Sequence, residues 1–203
     1  EGARASARSV EDFDTAVEAA ISDTDAILET FSALLRIAQL EAGAQRASFA
    51  DVSLSDVFTT VVDLYAPVAD DRGRKLLSRI EPNVHVAGDR QLLTQMIVNL
   101  IENAFDHSPG GRSIEVSLDA GSEGPIGRVA DNGPGIPPAE RERVFQRFYR
   151  LDRSRTQPGS GLGLSLVAAI AQLHAIRVEL SDNGPGLRVT LQFPRHALAM
   201  ALP

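Results

Sequence analysis

Gly159-Ser160-Gly161-Leu162-Gly163-Leu164-Ser165 opens an apolar run, Leu166-Val167-Ala168-Ala169-Ile170-Ala171, that contains neither Gly nor Pro. A glycine loop feeding a helix N-terminus makes an anion site. The backbone can approach closely, the first N–H groups have no partner inside the helix, and the helix dipole favours negative charge. Phosphate is the natural guest. Plain tight turns share this pattern, so its meaning rests on what lies upstream.

Composition sets the bounds. The chain has 203 residues, 43% of them hydrophobic and 23% charged, enough for one full domain plus an extra element. A net charge of −7 argues against nucleic acid or an anionic membrane surface as the main partner. A phosphate site here relies on backbone dipoles, a metal and a few local arginines. No cysteine is present, so there is no disulfide frame and no Cys-based zinc site, which fits a reducing compartment. No apolar run approaches transmembrane length, and the N-terminus lacks a signal-peptide pattern. The first residue is Glu1 rather than Met, so the chain reads as a piece of something longer.

Ser9 before Val10-Glu11-Asp12 makes an approximate capping box. From there to residue 42 no Gly or Pro occurs, and apolar or small residues recur at Ile21, Thr24, Leu28, Phe31, Leu35, Ala38 and Ala42, with Ile27 and Leu34 widening the stripe. This spacing predicts a long helix with a heptad-like face, stopped at Gly43 and meant for a bundle or dimer, with a hinge over residues 43–48. After it the pattern becomes mixed. Strands are expected at residues 49–54, 76–80, 84–87, 114–118, 126–130, 176–180 and 187–193. Helices are expected at 55–69 (kinked or ended by Pro67), at 90–107 with Asp89 as its cap, at 138–150, and from 166 to 174 after the glycine loop. Asp182-Asn183-Gly184-Pro185-Gly186 is turn chemistry. No internal repeat is evident. The mix predicts an α+β two-layer sandwich, a mixed sheet with helices on one face, behind a long α-helix.

Three further segments could carry chemistry. Asn99, Asn103 and His107 lie four apart on one face of the 90–107 helix, between Met96, Ile97, Leu100, Ile101 and Ala104. The row is either a helix edge facing water or a set of amide oxygens and an imidazole facing a pocket; amide oxygen suits Mg²⁺. Asp131-Asn132-Gly133-Pro134-Gly135-Ile136-Pro137 follows a strand, so Asp131 stands at a pocket mouth or begins a plain turn; a carboxylate can accept from an exocyclic amine such as that of adenine. The third, Phe145-Gln146-Arg147-Phe148-Tyr149-Arg150, precedes a polar segment with Arg153 and Arg155, either a lid over phosphates or a solvated connection. The order of all four segments is the strong signal.

In that order they resemble the boxes of the catalytic ATP-binding domain of bacterial sensor histidine kinases, in the superfamily shared with DNA gyrase. Asn99-Leu100-Ile101-Glu102-Asn103-Ala104 looks like the N box and residues 131–135 like the first glycine box. Residues 145–150 look like the F box and 159–164 like the second glycine box. The resemblance covers about residues 47–194. Residues 10–43, with Leu34-Leu35-Arg36-Ile37-Ala38-Gln39-Leu40-Glu41-Ala42-Gly43, look like the second helix of the dimerisation and histidine-phosphotransfer hairpin. The division implied is a partial phosphotransfer helix over 1–46 and a catalytic domain over 47–203.

What the resemblance implies is a Bergerat fold with its left-handed crossover, against the usual right-handed rule, binding ATP or ADP with Mg²⁺. It implies Asp131 on the adenine amine, Asn103 on Mg²⁺, Asn99 and His107 near the phosphates, and Arg150 near the γ-phosphate. The nucleotide set is completed by Gly133, Gly135 and Ile136 of the first glycine box and Gly159, Ser160, Gly161, Leu162, Gly163 and Leu164 of the second. Asn103 and Arg150 are the catalytic pair. The implied reaction is in-line phosphoryl transfer to a histidine, with a response regulator downstream, a homodimeric parent protein anchored in the inner membrane, a cytoplasmic catalytic part and no nucleic acid.

Three features depart from the family pattern. None of His85, His107, His174 and His196 has the phosphoacceptor context, so autophosphorylation of these residues alone is not expected. The position three after Asn103, often Lys or Arg in the family, is Asp106. Before Pro158-Gly159, where many relatives carry a basic residue, stands Gln157. The enzyme reading therefore competes with a nucleotide-binding dimer or adaptor module that transfers nothing. ATP hydrolysis of the gyrase type is not expected, because Asn99 stands where those enzymes carry their water-activating Glu.

Overall fold

The computed structural model describes residues 10–41, 49–108, 113–151 and 160–195. Helix α1, Val10–Glu41, stands before the domain. Its heptad face stays uncovered: Ile21, Leu28 and Phe31 are each more than half exposed. A different side docks. Ile37 and Leu40 are buried in the core, with Ala33 and Leu34 packed beside them, so Leu34 belongs to the docking side rather than to the heptad stripe. The proposed Ser9 cap, the Gly43 stop and the hinge lie outside the described residues.

Strand β1, Ala50–Ser53, pairs antiparallel with β3, His85–Gly88. Residues 49–54 were expected to be extended throughout, but Leu54 already begins helix α2, Leu54–Asp71, because the Ser53 side chain accepts from Asp56 N at 3.2 Å and caps it. Pro67 does not end α2, which runs on to Asp71. Strand β2, Lys75–Ile80, does not pair with β3. It runs parallel to β4, Ser113–Asp119. Ser55 holds the chain between β2 and β3: its Oγ donates to the Glu81 carbonyl at 2.7 Å and accepts from Val84 N at 3.0 Å.

Helix α3, Arg90–His107, has the Asp89 cap that the sequence predicts, with Oδ1 accepting from Gln91 N and Leu92 N. Strand β5, Ile126–Asp131, then lies between β4 and β7, Leu187–Gln192; helix α4 spans Gly163–Leu173 and β6 spans Arg177–Asp182. The five-stranded sheet has the order β2-β4-β5-β7-β6, mixed, with β2 and β4 as its parallel pair.

Register makes one face of this sheet apolar. Ile114, Val116 and Leu118 sit opposite Asp131, Val129 and Gly127, and Val189 and Leu191 continue the layer. Because paired residues point the same way, Asp131 faces inward at the end of that layer. Helices α2, α3 and α4 pack on this side. The other side presents Arg79, Glu115, Glu179 and Arg188 to solvent. There Arg79 and Arg128 both bond Asp119, at 2.7 and 2.6 Å. The Arg79 hydrogen bond, ahead of Arg128, holds the Asp119 carboxyl below its usual range.

Residues 138–150 form no continuous helix. They make two short 3₁₀ turns, Pro138–Glu140 and Arg143–Phe145. The hydrogen bonds are i to i−3, from Glu140 N to Pro137 O and from Gln146 N to Arg143 O. Phe148 then has φ +62° and gives its N–H to the Gly161 carbonyl at 3.1 Å. Docking on the glycine loop overrides the local helical pattern.

Candidate functional site

The four sequence boxes meet along one continuous edge of the inner face. At its base, β5 delivers Asp131, 6% exposed, beneath the C-terminal turn of α3. Its Oδ1 accepts from Gly133 N at 2.6 Å and, more weakly, from Leu187 N at 3.4 Å. Both bonds fall on one oxygen, which leaves Oδ2 for a ligand among the described residues. Gly133 is needed because the chain passes too close for a side chain. A Cβ there would fall 2.5 Å from the His107 carbonyl oxygen and 2.7 Å from Asp131 Oδ1. His107 thus meets the first glycine box through its backbone, while its side chain is exposed. Ile136 packs against the core, and its carbonyl accepts from Arg141 Nε at 3.2 Å.

One and two turns back along α3 stand Asn103 and Asn99. Asn99 Nδ2 donates to the Gln95 carbonyl at 2.8 Å. Asn103 Nδ2 is buried without a hydrogen-bond partner. Both amides face the start of α4, since a Cβ on Gly163 would lie 3.5 Å from Asn99 Oδ1 and 3.6 Å from Asn103 Nδ2. Helix α4 begins there with no side-chain cap and no acidic residue in its first turn, so among the described residues no side chain caps its leading N–H groups. Leu162 is buried, and its carbonyl accepts from Ser165 Oγ at 2.8 Å; Ser160 is exposed, and Leu164 packs against the core. Gly159 lies outside the described residues.

The F box closes the other side. Gly161 has φ +70°, a conformation that glycine adopts without strain. A Cβ on it would meet Phe148 backbone at 3.0 Å and Arg150 Cγ at 3.1 Å. The stem of Arg150 therefore lies along the loop. Tyr149 donates to Glu140, and Arg143 sits 4.7 Å above the Tyr149 ring, which fixes this segment.

Two acidic side chains of α3 face elsewhere. Glu102 accepts from Tyr65 OH of α2 at 2.6 Å, and burial with this neighbour pushes the Tyr65 phenol well above its usual range. Asp106, four residues further on, lies 3.9 Å from Arg72, with both side chains more than half exposed.

The sequence does contain a repeat. Asp131-Asn132-Gly133-Pro134-Gly135 recurs as Asp182-Asn183-Gly184-Pro185-Gly186. In the fold the two copies pack on each other. Asn183 Nδ2 donates to the Asp131 carbonyl at 2.9 Å, and Gly135 lies against the Gly186 carbonyl. Their aspartates differ: Asp131 is buried, whereas Asp182 is exposed and bonded to Arg141 at 2.6 Å. Asn183, Gly186 and Leu187 thus support the site although the sequence offers them only as a hairpin turn; the pentapeptide identity is the signal that marks them.

Residues 88–197 match the family described as histidine kinase-, DNA gyrase B-, and HSP90-like ATPase. The chain belongs to this family. It is 33% identical over 165 residues to the sensor-like histidine kinase SenX3 of Mycobacterium tuberculosis, covering 79% of this chain and 40% of that protein. The mycobacterial sensor histidine kinase MprB superposes with a TM-score of 0.62 at 30% identity, over 73% of this chain and 98% of that one. Full-length ShkA in complex with AMPPNP superposes with a TM-score of 0.78 at 25% identity, over 95% of this chain and 40% of that one. The chain therefore spans less than half the length of the curated relative it matches, and that relative is a sensor histidine kinase. Among the described residues no helix is long and apolar enough to cross a membrane.

Proposed function

We propose that residues 47–203 form the ATP-binding kinase core of a two-component sensor histidine kinase, and that residues 1–46 are the second helix of its phosphotransfer hairpin. The observation that carries this reading is the circuit in which Asp131, Asn103, Gly163 and Arg150, from four separate segments, line one edge. Asp131 Oδ2 accepts the adenine amine. The backbone N–H groups from Gly161 to Gly163 take phosphate oxygens, with Asn99 and His107 beside them and Arg150 at the γ-phosphate.

A divalent cation fits the donor set. Asn103 is unsatisfied as it stands, since its nitrogen is buried without a partner. A phosphate oxygen would satisfy that nitrogen, and the amide oxygen would be free to hold Mg²⁺, a cation that takes several ligands from water and phosphates. Among the described residues no cluster of His, Asp and Glu could hold a metal without the nucleotide. The bound cation would supply charge neutralisation on the β- and γ-phosphates. The chain's own residues hold the phosphates in line with an incoming histidine nitrogen, and positioning and electrostatics supply most of the catalysis in such transfers. That histidine belongs to another segment or chain, because none of the four present has the acceptor context. Glu102 is bonded to Tyr65, and Asn99 cannot activate water by taking its proton, so hydrolysis is not the favoured outcome. The response regulator, the homodimeric parent and its membrane anchor follow from the family and stand with this reading; the uncovered apolar face of α1 fits a bundle partner.

The test is trans-phosphorylation. This chain and γ-labelled Mg-ATP are mixed with a protein that carries the upstream histidine helix but no ATP domain. Label on histidine is the expected result. ATP binding without label would favour the nucleotide-binding module.

A further inference from the structure

His174 is 4% exposed at the C-terminal end of α4, and both of its ring nitrogens are bonded. Nδ1 lies 2.9 Å from the Ile170 carbonyl of its own helix, so it carries the proton and donates. Nε2 must then accept, and Asp89 N donates to it at 3.1 Å. Asp89 is the cap of α3, the helix that carries Asn99 and Asn103. The ring also fills the space left by a glycine: a Cβ on Gly88 would lie 2.9 Å from His174 Cδ2. Phe49 stacks on its face with centroids 4.6 Å apart.

Helices α3 and α4 run antiparallel, so this bond ties the start of one to the end of the other. Gly163 to His174 is about 16 Å along α4 at 1.5 Å per residue, and Asp89 to Asn99 is about 15 Å along α3. The two helices are thus pinned at one end by the imidazole and meet at the other as the glycine loop facing the asparagines. A slide of one residue at the pin would carry the loop about 1.5 Å past the amides.

We propose that His174 is a positioning residue for the nucleotide site, its neutral imidazole fixing the register of α4 against α3 so that Gly163 stays opposite Asn99 and Asn103. This rests on the nucleotide reading given above. The bridge requires the neutral ring, because a proton on Nε2 would point at the Asp89 N–H. Burial holds the imidazole below its ordinary range, against the Ile170 hydrogen bond and the Asp89 carboxylate, which both favour the cation. Asp89 is the charged group that bears on the ring among the described residues, and Phe49, Gly88 and Leu93 add none. The linkage sign follows. The folded state prefers the neutral form, so its contribution is present above the ordinary histidine pKa of about 6.5 and is lost as pH falls below it.

Calorimetry with Mg-ADP between pH 8 and 5.5, on the wild type, His174→Gln and His174→Asn, tests this. Glutamine can reach the Nε2 position as an acceptor for Asp89 N; asparagine reaches only the Ile170 side. At pH 8 His174→Gln is expected to bind within threefold of wild type and His174→Asn to lose at least tenfold. The ratio of wild-type to His174→Gln affinity should hold level down to about pH 6.5, because burial keeps the ring neutral there, and fall only at lower pH; the ratio cancels the titration of the nucleotide phosphates and of groups common to both proteins. Equal binding by the two variants at pH 8, or a ratio that already falls above about pH 6.5, overturns the proposal. Should His174→Asn fail to fold, the ratio alone decides. No Mg-ADP binding by the folded wild type would instead overturn the nucleotide reading itself.

Discussion

Asp131→Asn separates the fold from the ligand at one atom. Asp131 Oδ1 accepts from Gly133 N at 2.6 Å and Leu187 N at 3.4 Å. An amide of the same shape keeps Oδ1 as an acceptor for both, so the loop stays in place, and only the charge assistance of one good bond is lost, about 1 kcal/mol. The other oxygen becomes an NH₂ group. It then meets the adenine amine donor to donor, so a charge-assisted hydrogen bond of about 1.5–3 kcal/mol is removed. That corresponds to a roughly ten- to hundredfold weaker Kd. Guanine nucleotides carry an oxygen where adenine has the amine, so they accept from the new NH₂ and should lose little or gain. Calorimetry with Mg-ADP and Mg-GDP on both proteins, beside a thermal melt, gives the answer. An equal loss for both bases, with the melt unchanged, would refute the placing of adenine on this carboxylate.

Two further substitutions divide the phosphate end. Asn103→Ala removes an amide whose nitrogen has no partner, so the melt should shift by less than about 1 kcal/mol of stability while the Mg²⁺-dependent part of ATP affinity disappears; titrations with and without Mg²⁺ measure both. Gly163→Ala adds a methyl at ordinary contact distance, 3.5 Å from Asn99 Oδ1. The fold should gain up to about 1 kcal/mol from better helix propensity, yet nucleotide affinity should fall because the methyl occupies the gap between the loop and the amides. A variant that is more stable and binds as well would show that phosphate passes elsewhere.

The parts of the fold that the sequence makes legible are those decided by local chemistry. Asp89 at a helix start and the unbroken run to His107 depend on nearest neighbours, and the structure has both. The Asn99, Asn103, His107 row is likewise a matter of helical period. Long-range pairing is different. Nothing near β2 says that its partner is β4, some forty residues on, rather than β3, because both candidates carry the same alternation. At residues 138–150 a helical composition is overruled by a distant acceptor, the Gly161 carbonyl, that turns Phe148 to positive φ. The support of Asp131 by Asn183 and Leu187 is also tertiary. Each residue lies more than fifty positions away and reads locally as part of a hairpin.

Asp106 shows how a residue can sit inside a motif without facing the motif's ligand. By position it replaces a base that would help to hold phosphate, which suggests a weakened site. Its side chain, however, lies on the side of α3 that it shares with Glu102, toward α2, where Tyr65 bonds Glu102 and Arg72 stands 3.9 Å from Asp106. That ion pair is exposed and loosely held, so it is worth at most about 1 kcal/mol. Arg72 and Arg74 both lie over the Phe105 ring, at 5.5 and 5.4 Å, which places two cations beside the one carboxylate. The local charge is therefore offset within the corner. Asp106→Asn is expected to leave Mg-ADP affinity within about twofold, roughly 0.4 kcal/mol, at low and at physiological salt alike. A gain of tenfold at low salt, fading as salt is added, would mean that the carboxylate does repel the phosphates and that the side chain turns toward them when nucleotide binds.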